Sequence, residues 1–357
     1  MLLVKFFKVG EIKNSSPCLL MCGAIMAFVY IVDESAYVRL SGSQYLITQN
    51  DEVKLAIPAA KLEGLVLFDR VQITSQALIA MLRQGVFVTW LSGTGDYVGR
   101  LESPHFVNVS KQKRQIMLSD NINFNLHLAK KIVFAKMYNS GAVLYRYNRE
   151  RNIPLVVKNY NIIKAMRNKL ATETDIAKVR GYEGYVAKLY FEALGQLVPL
   201  TFAFKGRSKK PPRDPFNSML SLGYTLLQYE LQTIIVQQGL HPYFPFYHVA
   251  RSDYPALAYD LIEEWRAPLI DALVLSMIVK KEIVATDFDK PCKNGAVFLS
   301  YEGRKKFIAA YDKKMLTMNK YAGSNYSYRH TLNWQVSNLV KCLEIGSAEE
   351  YQAILIR

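Results

Sequence analysis

The sequence predicts a two-domain α+β protein, with an N-terminal β-rich, β-sandwich-like domain over residues 26–105 and an all-α domain over residues 106–357. Three observations predict it. Short β-branched and aromatic runs separated by turn-forming residues fill the stretch from about 27 to 100. Composition shifts after about residue 105, and helical periodicity dominates from Ser119 onward. The 357 residues also exceed what one hydrophobic core comfortably holds. A hydrophobic content of 50% with 12% aromatics excludes a disordered chain.

In order along the chain, Phe28–Val32, Tyr37–Leu40 and Tyr45–Thr48 read as strands, parted by Asp33-Glu34-Ser35 and Ser41-Gly42-Ser43. Gly64–Phe68 reads as a buried strand. A short helix follows: Thr74 or Ser75 caps it, Ala77, Leu78, Met81 and Leu82 share one face, and Gly85 stops it. Val86–Leu91 resumes as a strand, and Gly93, Gly95 and Gly99 break up what comes after. Upstream, the apolar run Cys18–Val32 is shorter than the ~20 residues of a membrane-spanning helix, so no membrane anchor is expected. Its second half is the first strand, and Met26 stands just before it. Residues 1–25 are therefore read as a possible start-codon extension.

Lys and Arg number 45 against 30 Asp and Glu, a net charge of +15 that points to a polyanionic partner. Basic residues crowd the span 111–170, among them Lys130, Lys131, Lys136, Arg146, Arg149, Lys164 and Arg167. They alternate with Phe134, Tyr138, Tyr145 and Tyr160, as on a phosphate-backbone surface. Lys205–Pro215, with three prolines and five basic residues, must be a loop. Its Lys209, Lys210 and Arg213 are candidate DNA contacts. The four cysteines (Cys18, Cys22, Cys292 and Cys342) are too few and scattered for a disulfide framework, which suits a reducing, cytoplasmic compartment.

Three clusters carry possible chemistry. Glu183 lies between Gly181 and Gly184, ahead of a packing face of Val186, Leu189 and Tyr190, which places it near the first turn of a helix. His248 ends an aromatic and proline-rich segment from Gly239. In Tyr254–Arg266, Ser252 or Asp253 caps a helix with Pro255 at its first position, and Leu257, Leu261, Trp265 and Leu269 form its core stripe. Asp260 and Glu263 share a face, and Asp260 also stacks with Glu264. Such like charges need a cation, unless the face is simply solvated. Two carboxylates and an imidazole suit Mg²⁺ or Mn²⁺.

These residues fall within a wider pattern. Val66–Leu78 followed by Leu82-Arg-Gln-Gly85 and Gly99-Arg-Leu101, then Gly181–Gly184 with Ala187, Tyr190 and Phe191, Arg213–Asn217, Leu220–Tyr224, Gly239–Tyr243 with His248, and Leu257–Arg266 occur in order. In this pattern the chain resembles the CRISPR-associated endonuclease and integrase family, the first of the Cas adaptation proteins, from about Ala27 onward. Asp69 stands where that family more usually has Gly. The resemblance implies that the β domain forms a homodimer and the helical domain is catalytic. It implies that Glu183, His248 and Glu263 bind the metal with Asp260 as an auxiliary carboxylate behind them. It also implies insertion of short DNA duplexes into a repeat array, by 3′-hydroxyl attack on a phosphodiester, alongside the second Cas adaptation protein. Two alternatives stand beside this: a related nuclease or transposon-type integrase acting on branched DNA, and a non-catalytic DNA-binding scaffold. A scaffold would have no need of Glu183, His248 and Glu263.

Overall fold

A computed structural model describes residues 27–208, 210–321 and 324–356. Residues 1–25, with Cys18 and Cys22, and Lys209 lie outside the described residues. The chain divides into two compact units, the first ending at His105 and the second starting at Phe106.

The first unit contains β1 (Ala27–Ile31), β2 (Ala36–Ser41), β3 (Gln44–Gln49), β4 (Glu52–Pro58), β5 (Leu62–Phe68), β6 (Gln72–Ile73), α1 (Ser75–Gln84), β7 (Phe87–Leu91) and β8 (Tyr97–Leu101). They form two four-stranded sheets, β1-β5-β7-β8 and β4-β3-β2-β6. In the first, β1, β5 and β7 run parallel and β8 antiparallel. In the second, β2, β3 and β4 form a meander, and β6 runs parallel to β2. In β2, β3 and β4 alternation buries one face, whereas β5 is buried at every position from Gly64 to Phe68, on both faces of its sheet. Ile31, Leu65, Leu67 and Val88 from one sheet and Val38, Ile47 and Ile57 from the other join a single buried cluster.

A parallel pair needs a crossover, and α1 supplies it between β5 and β7. Thr74 accepts from the Ala77 amide at 3.1 Å, and Gly85 closes the helix at φ +74°. Asp69 adopts φ +56°, a left-handed conformation that Gly takes freely and Asp tolerates, which accounts for its place in a position where Gly is usual. Three strands of the first unit were not legible in the sequence, β4, the two-residue β6 and β8. In β4 the charged Glu52 and Lys54 obscure an alternation whose buried members are Leu55 and Ile57. In β8, Gly99 lies opposite Trp90 in the ladder, and Gly93 and Gly95 occupy the turn before it, Gly95 at φ +90°.

The second unit contains α2 (Val109–Ser119), α3 (Ile122–Asn148), α4 (Pro154–Lys169), α5 (Ile176–Leu197), α6 (Pro215–Gln237), α7 (Ala256–Ile262), α8 (Ala272–Val279), α9 (Tyr301–Met315) and α10 (Tyr328–Ile345). A π-helical turn at Arg266–Asp271 links α7 to α8. Between α9 and α10 a hairpin of β9 (Met318–Tyr321) and β10 (Ser324–Ser327) departs from an all-α domain. Helix starts are capped by side chains that accept backbone N–H groups, among them Asn108, Asn121, Asp175, Asp214, Ser300 and Ser327. Helix α6 is buried on nearly all sides, with the polar Asn217, Gln228, Glu230 and Gln232 buried among its apolar residues. Among the described residues, no helix is long and apolar enough to cross a membrane.

Candidate metal centre

Helices α3, α5 and α7 bring the central residues together. Helix α5 starts at Ile176, capped by Asp175, so Glu183 sits two turns inside the helix and not in its first turn as the sequence suggested. The glycines at 181 and 184 lie within the helix, where they cannot mark its start. Helix α7 begins at Ala256 with Pro255 as its N-cap and no side-chain cap, so neither Ser252 nor Asp253 caps it. Glu263 is the C-terminal cap residue of α7, just before the π-helical turn.

Glu183 and Glu263 meet at one cation. The Lys136 ammonium on α3 donates to Glu183 Oε1 and lies 2.6 Å from Glu263 Oε2. Glu263 Oε1 accepts from Arg266 Nε at 3.1 Å. Although Lys136 is close enough for an ion pair, Glu263 Oε2 is buried without a well-aligned hydrogen bond, so its charge is balanced while a lone pair stays open. Burial alone raises the carboxyl pKa; Arg266, Lys136 and His248 outweigh it and hold Glu263 down at about 2. Burial likewise disfavours the Lys136 charge, yet Glu263 and Glu183 more than offset it and raise the ammonium pKa.

His248 is held from behind. Asp260, with no exposed surface, accepts the Phe246 and Tyr247 amides on Oδ2 at 2.6 and 2.9 Å, and the His248 amide on Oδ1 at 2.8 Å. The same Oδ1 lies 2.7 Å from His248 Nδ1. With both oxygens already accepting backbone N–H groups, Asp260 is placed to accept from an Nδ1–H as well, the tautomer in which Nε2 carries the lone pair. The rings of Tyr247, from the same segment, and of Tyr254 and Tyr259, from the segment that follows, stand edge-on around the imidazole. Arg180 donates to the Tyr247 carbonyl at 2.6 Å and secures the same turn to α5.

The acidic residues of α7 do not form one shared face. Asp260 turns to the 246–248 turn, Glu263 to Lys136 and Arg266, and Glu264 to the C-terminal segment. There Tyr351 Oη and the Ile354 amide each donate to Glu264 at 2.6 Å. Burial pushes Glu264 up to about 7 against those hydrogen bonds. The repulsion expected between neighbouring carboxylates is therefore relieved separately for each one.

Sequence reasoning missed Lys136 as a member of this site, grouping it with the basic surface of α3. Its position between two carboxylates, each from a different helix, has no local sequence signal. Other members of that basic group also serve the fold. Lys130 donates to the Ala171 and Glu173 carbonyls, and Lys131 to that of Tyr351. In the Lys205–Pro215 loop, Arg207 is tied to Asn217 at 2.8 Å and to Ser221 at 3.1 Å, while Lys210 and Arg213 are exposed.

Among the described residues, no three of His, Cys, Asp and Glu gather tightly enough to hold a metal ion as they stand. The donor set still fits a hard divalent cation. Two carboxylates converge on one ammonium, a buried carboxylate oxygen has an open lone pair, and a nearby imidazole is fixed through its far nitrogen.

Residues 29–313 match the family model described as CRISPR associated protein Cas1. Over 327 residues the chain is 31% identical to the CRISPR-associated endonuclease Cas1 of Mycobacterium tuberculosis, covering 90% of this chain and 95% of the relative. Among solved structures it resembles a casposase bound to integration product, with a TM-score of 0.79, 22% identity, and coverage of 90% and 92%. It also resembles part of a longer chain in a Cas6-RT-Cas1–Cas2 complex, with a TM-score of 0.80, 21% identity, and coverage of 96% of this chain but 37% of that one. At these identities the two structures speak for the fold.

Proposed function

The chain belongs to the Cas1 family of CRISPR-associated proteins, and from that premise we propose that it is a metal-dependent DNA endonuclease and integrase of spacer acquisition. It inserts short DNA duplexes into a repeat array. The observation that carries the reading is the meeting of Glu183 and Glu263 at one cationic position, with His248 fixed beside them by Asp260. Glu183, Glu263 and His248 Nε2 would hold Mg²⁺ or Mn²⁺. Bound there, the ion supplies Lewis-acid stabilisation of phosphoryl charge and lowers the pKa of the attacking hydroxyl.

The chain's own groups prepare that site. Arg266 and Lys136 keep Glu263 ionised although it is buried, so no proton need be expelled from it at neutral pH. Asp260 keeps the lone pair on His248 Nε2. Transfer is isoenergetic in bond type: the new bond from the 3′-oxygen to phosphorus replaces the one broken to the leaving 3′-oxygen, and the hydroxyl proton passes to the leaving alkoxide by way of solvent.

The charge of +15 suits a DNA substrate. A homodimer through the first unit and a complex with the second adaptation protein, Cas2, complete the proposal; the latter is supported by the fold likeness to part of a chain in a Cas6-RT-Cas1–Cas2 complex. A cytoplasmic location follows from that substrate. The test is strand transfer of a short duplex into a supercoiled repeat-bearing plasmid, with and without the partner. Joined product that needs Mg²⁺ or Mn²⁺ and rises with the partner supports the reading; cleavage of branched DNA with no joining to the repeat overturns it in favour of a nuclease.

A further inference from the structure

A second feature of α3 lies away from the metal ligands. A cleft of about 510 Å³ opens between α3 and α4. Four basic side chains line it, Arg146, Arg149, Lys164 and Arg167, against the single carboxylate of Glu150. Tyr145 and Tyr160 stand in the cleft with ring centroids 6.0 Å apart, and Tyr145 is 61% exposed. Gly141 makes room for this arrangement, since a Cβ there would come within 3.3 Å of the Tyr160 ring. The Arg167 guanidinium is stacked over Phe134 and Tyr138 at 5.3 and 5.2 Å, and its buried Nε has no hydrogen-bond partner.

The cleft is separate from the metal centre. At about 100° per residue, Tyr145 falls about 180° round α3 from Lys136. One face of the helix thus serves the carboxylates and the other the cleft.

We infer that this cleft binds an unpaired nucleotide, with its base against the tyrosines and its phosphate among the arginines. Paired DNA presents only its backbone to a protein surface and keeps its base faces stacked, so it has no use for an exposed tyrosine in a concave site. An unpaired base does, because every base offers a π-face. The volume also lies in the range of small-ligand sites, about 300–1,000 Å³. The excess of cations over Glu150 selects for the phosphate, and guanidiniums pair with phosphate through two N–H groups at once. The occupant is either a single-stranded part of a DNA substrate, which rests on the function proposed above, or a free nucleotide.

The experiment measures binding in EDTA, where no DNA chemistry occurs, so its result does not depend on whether the protein is an integrase. Fluorescence anisotropy compares a single-stranded oligonucleotide, a duplex with single-stranded tails and a blunt duplex, on the full chain and on Tyr145→Ala, Tyr145→Trp and Arg149→Glu. Tyr145→Ala is expected to weaken single-strand and tailed-duplex binding about tenfold, the loss of one stacked base, with blunt-duplex binding changed less than twofold. Tyr145→Trp is expected to retain affinity, which also shows that the site folds. Arg149→Glu is expected to weaken single-strand binding and reduce its salt dependence. Competition by dAMP, lost in Tyr145→Ala without any tail preference in DNA, identifies the free nucleotide as the occupant. Equal losses for blunt and tailed DNA, no loss in Tyr145→Ala, or equal competition by an acidic peptide would overturn the inference.

Discussion

Lys136 and Glu263 meet end to end in the interior of the helical unit, Nζ lying 2.6 Å from Oε2, and the same ammonium donates to Glu183. One lysine thus bridges two carboxylates that different helices bring to it, with Arg266 supplying the second positive charge. Lys136→Met should leave both carboxylates facing each other across a partly buried gap. Removing one partner of a buried ion pair costs about 3–5 kcal/mol, and the remaining exposure of Lys136 and Glu183 lowers that to about 2–3. Thermal unfolding in EDTA should show the loss, and added Mn²⁺ should restore more of it in the variant than it adds to the parent. An unchanged melting temperature in EDTA would remove Lys136 from the site.

Glu183→Gln, His248→Ala and Glu263→Gln should each abolish divalent-dependent strand transfer while leaving DNA affinity largely as it was. Affinity comes from Lys and Arg contacts to phosphate, whereas the chemistry needs the three donors. Parallel measurement of joined product and of anisotropy on the same DNA separates the two. Parent-like joining in any one variant removes that residue from the ligand set.

Asp260→Asn should be milder than Glu263→Gln. Asp260 contacts the imidazole from behind, and changes to groups that orient a ligand typically cost about 10–100-fold. It also accepts three backbone amides, so the asparagine, which has one acceptor oxygen, leaves at least one buried N–H unpaired. Stability should fall by about 1–3 kcal/mol on that account. Complete loss of joining, equal to that of Glu263→Gln, would make Asp260 a direct ligand.

Asp271 offers a pH signature. Burial pushes its carboxyl up to about 6, against the hydroxyls of Tyr224 and Tyr190 and the charges of Arg266 and Arg207. The folded protein therefore holds this proton more tightly than the unfolded chain. Its contribution to stability is full below about pH 4, declines as pH rises to about 6, and is flat above. The shift of about 2 units corresponds to about 3 kcal/mol. Asn at 271 carries no such dependence, so Asp271→Asn should gain stability relative to the parent between pH 4.5 and 7. Paired thermal melts across that range measure the difference, and a constant offset would show that Asp271 does not titrate there.

The sequence was most informative where pattern is local. The strands at Phe28, Tyr37, Tyr45 and Gly64 and the capped helix after Thr74 were all legible, because alternation, β-branching and turn residues act within a few positions. The candidate metal ligands are marked by the family resemblance more than by spacing. Spacing in fact misplaced Glu183 at the start of a helix, since Gly181 and Gly184 look like a boundary and are not one. Lys136 was hidden for a different reason: its partners lie 47 positions away at Glu183 and farther still at Glu263, and only tertiary packing brings them together. The same packing divides the basic residues of α3 and α4 between carbonyl-capping roles, the metal centre and the cleft, a division that composition cannot express.

The final prediction concerns the basic loop before α6. Arg207 is held by Asn217 and Ser221 and stacks 5.3 Å from the Tyr224 ring, and Asp214 caps α6, so the loop's frame is fixed by residues other than its exposed cations. Lys210 and Arg213 can therefore be reversed in charge without unsettling α6, and Lys209 is reversed with them for its charge alone. If all three contact phosphate, the slope of log affinity against log salt for duplex DNA should flatten, since each contact contributes about −0.9. Three contacts amount to a change of about 2.7, far outside the scatter of a salt titration. Affinity at low salt should fall as well, with thermal stability unchanged. A slope identical to that of the parent would place the loop off the DNA path and leave the ordering of α6 by Arg207 and Asp214 as the loop's function.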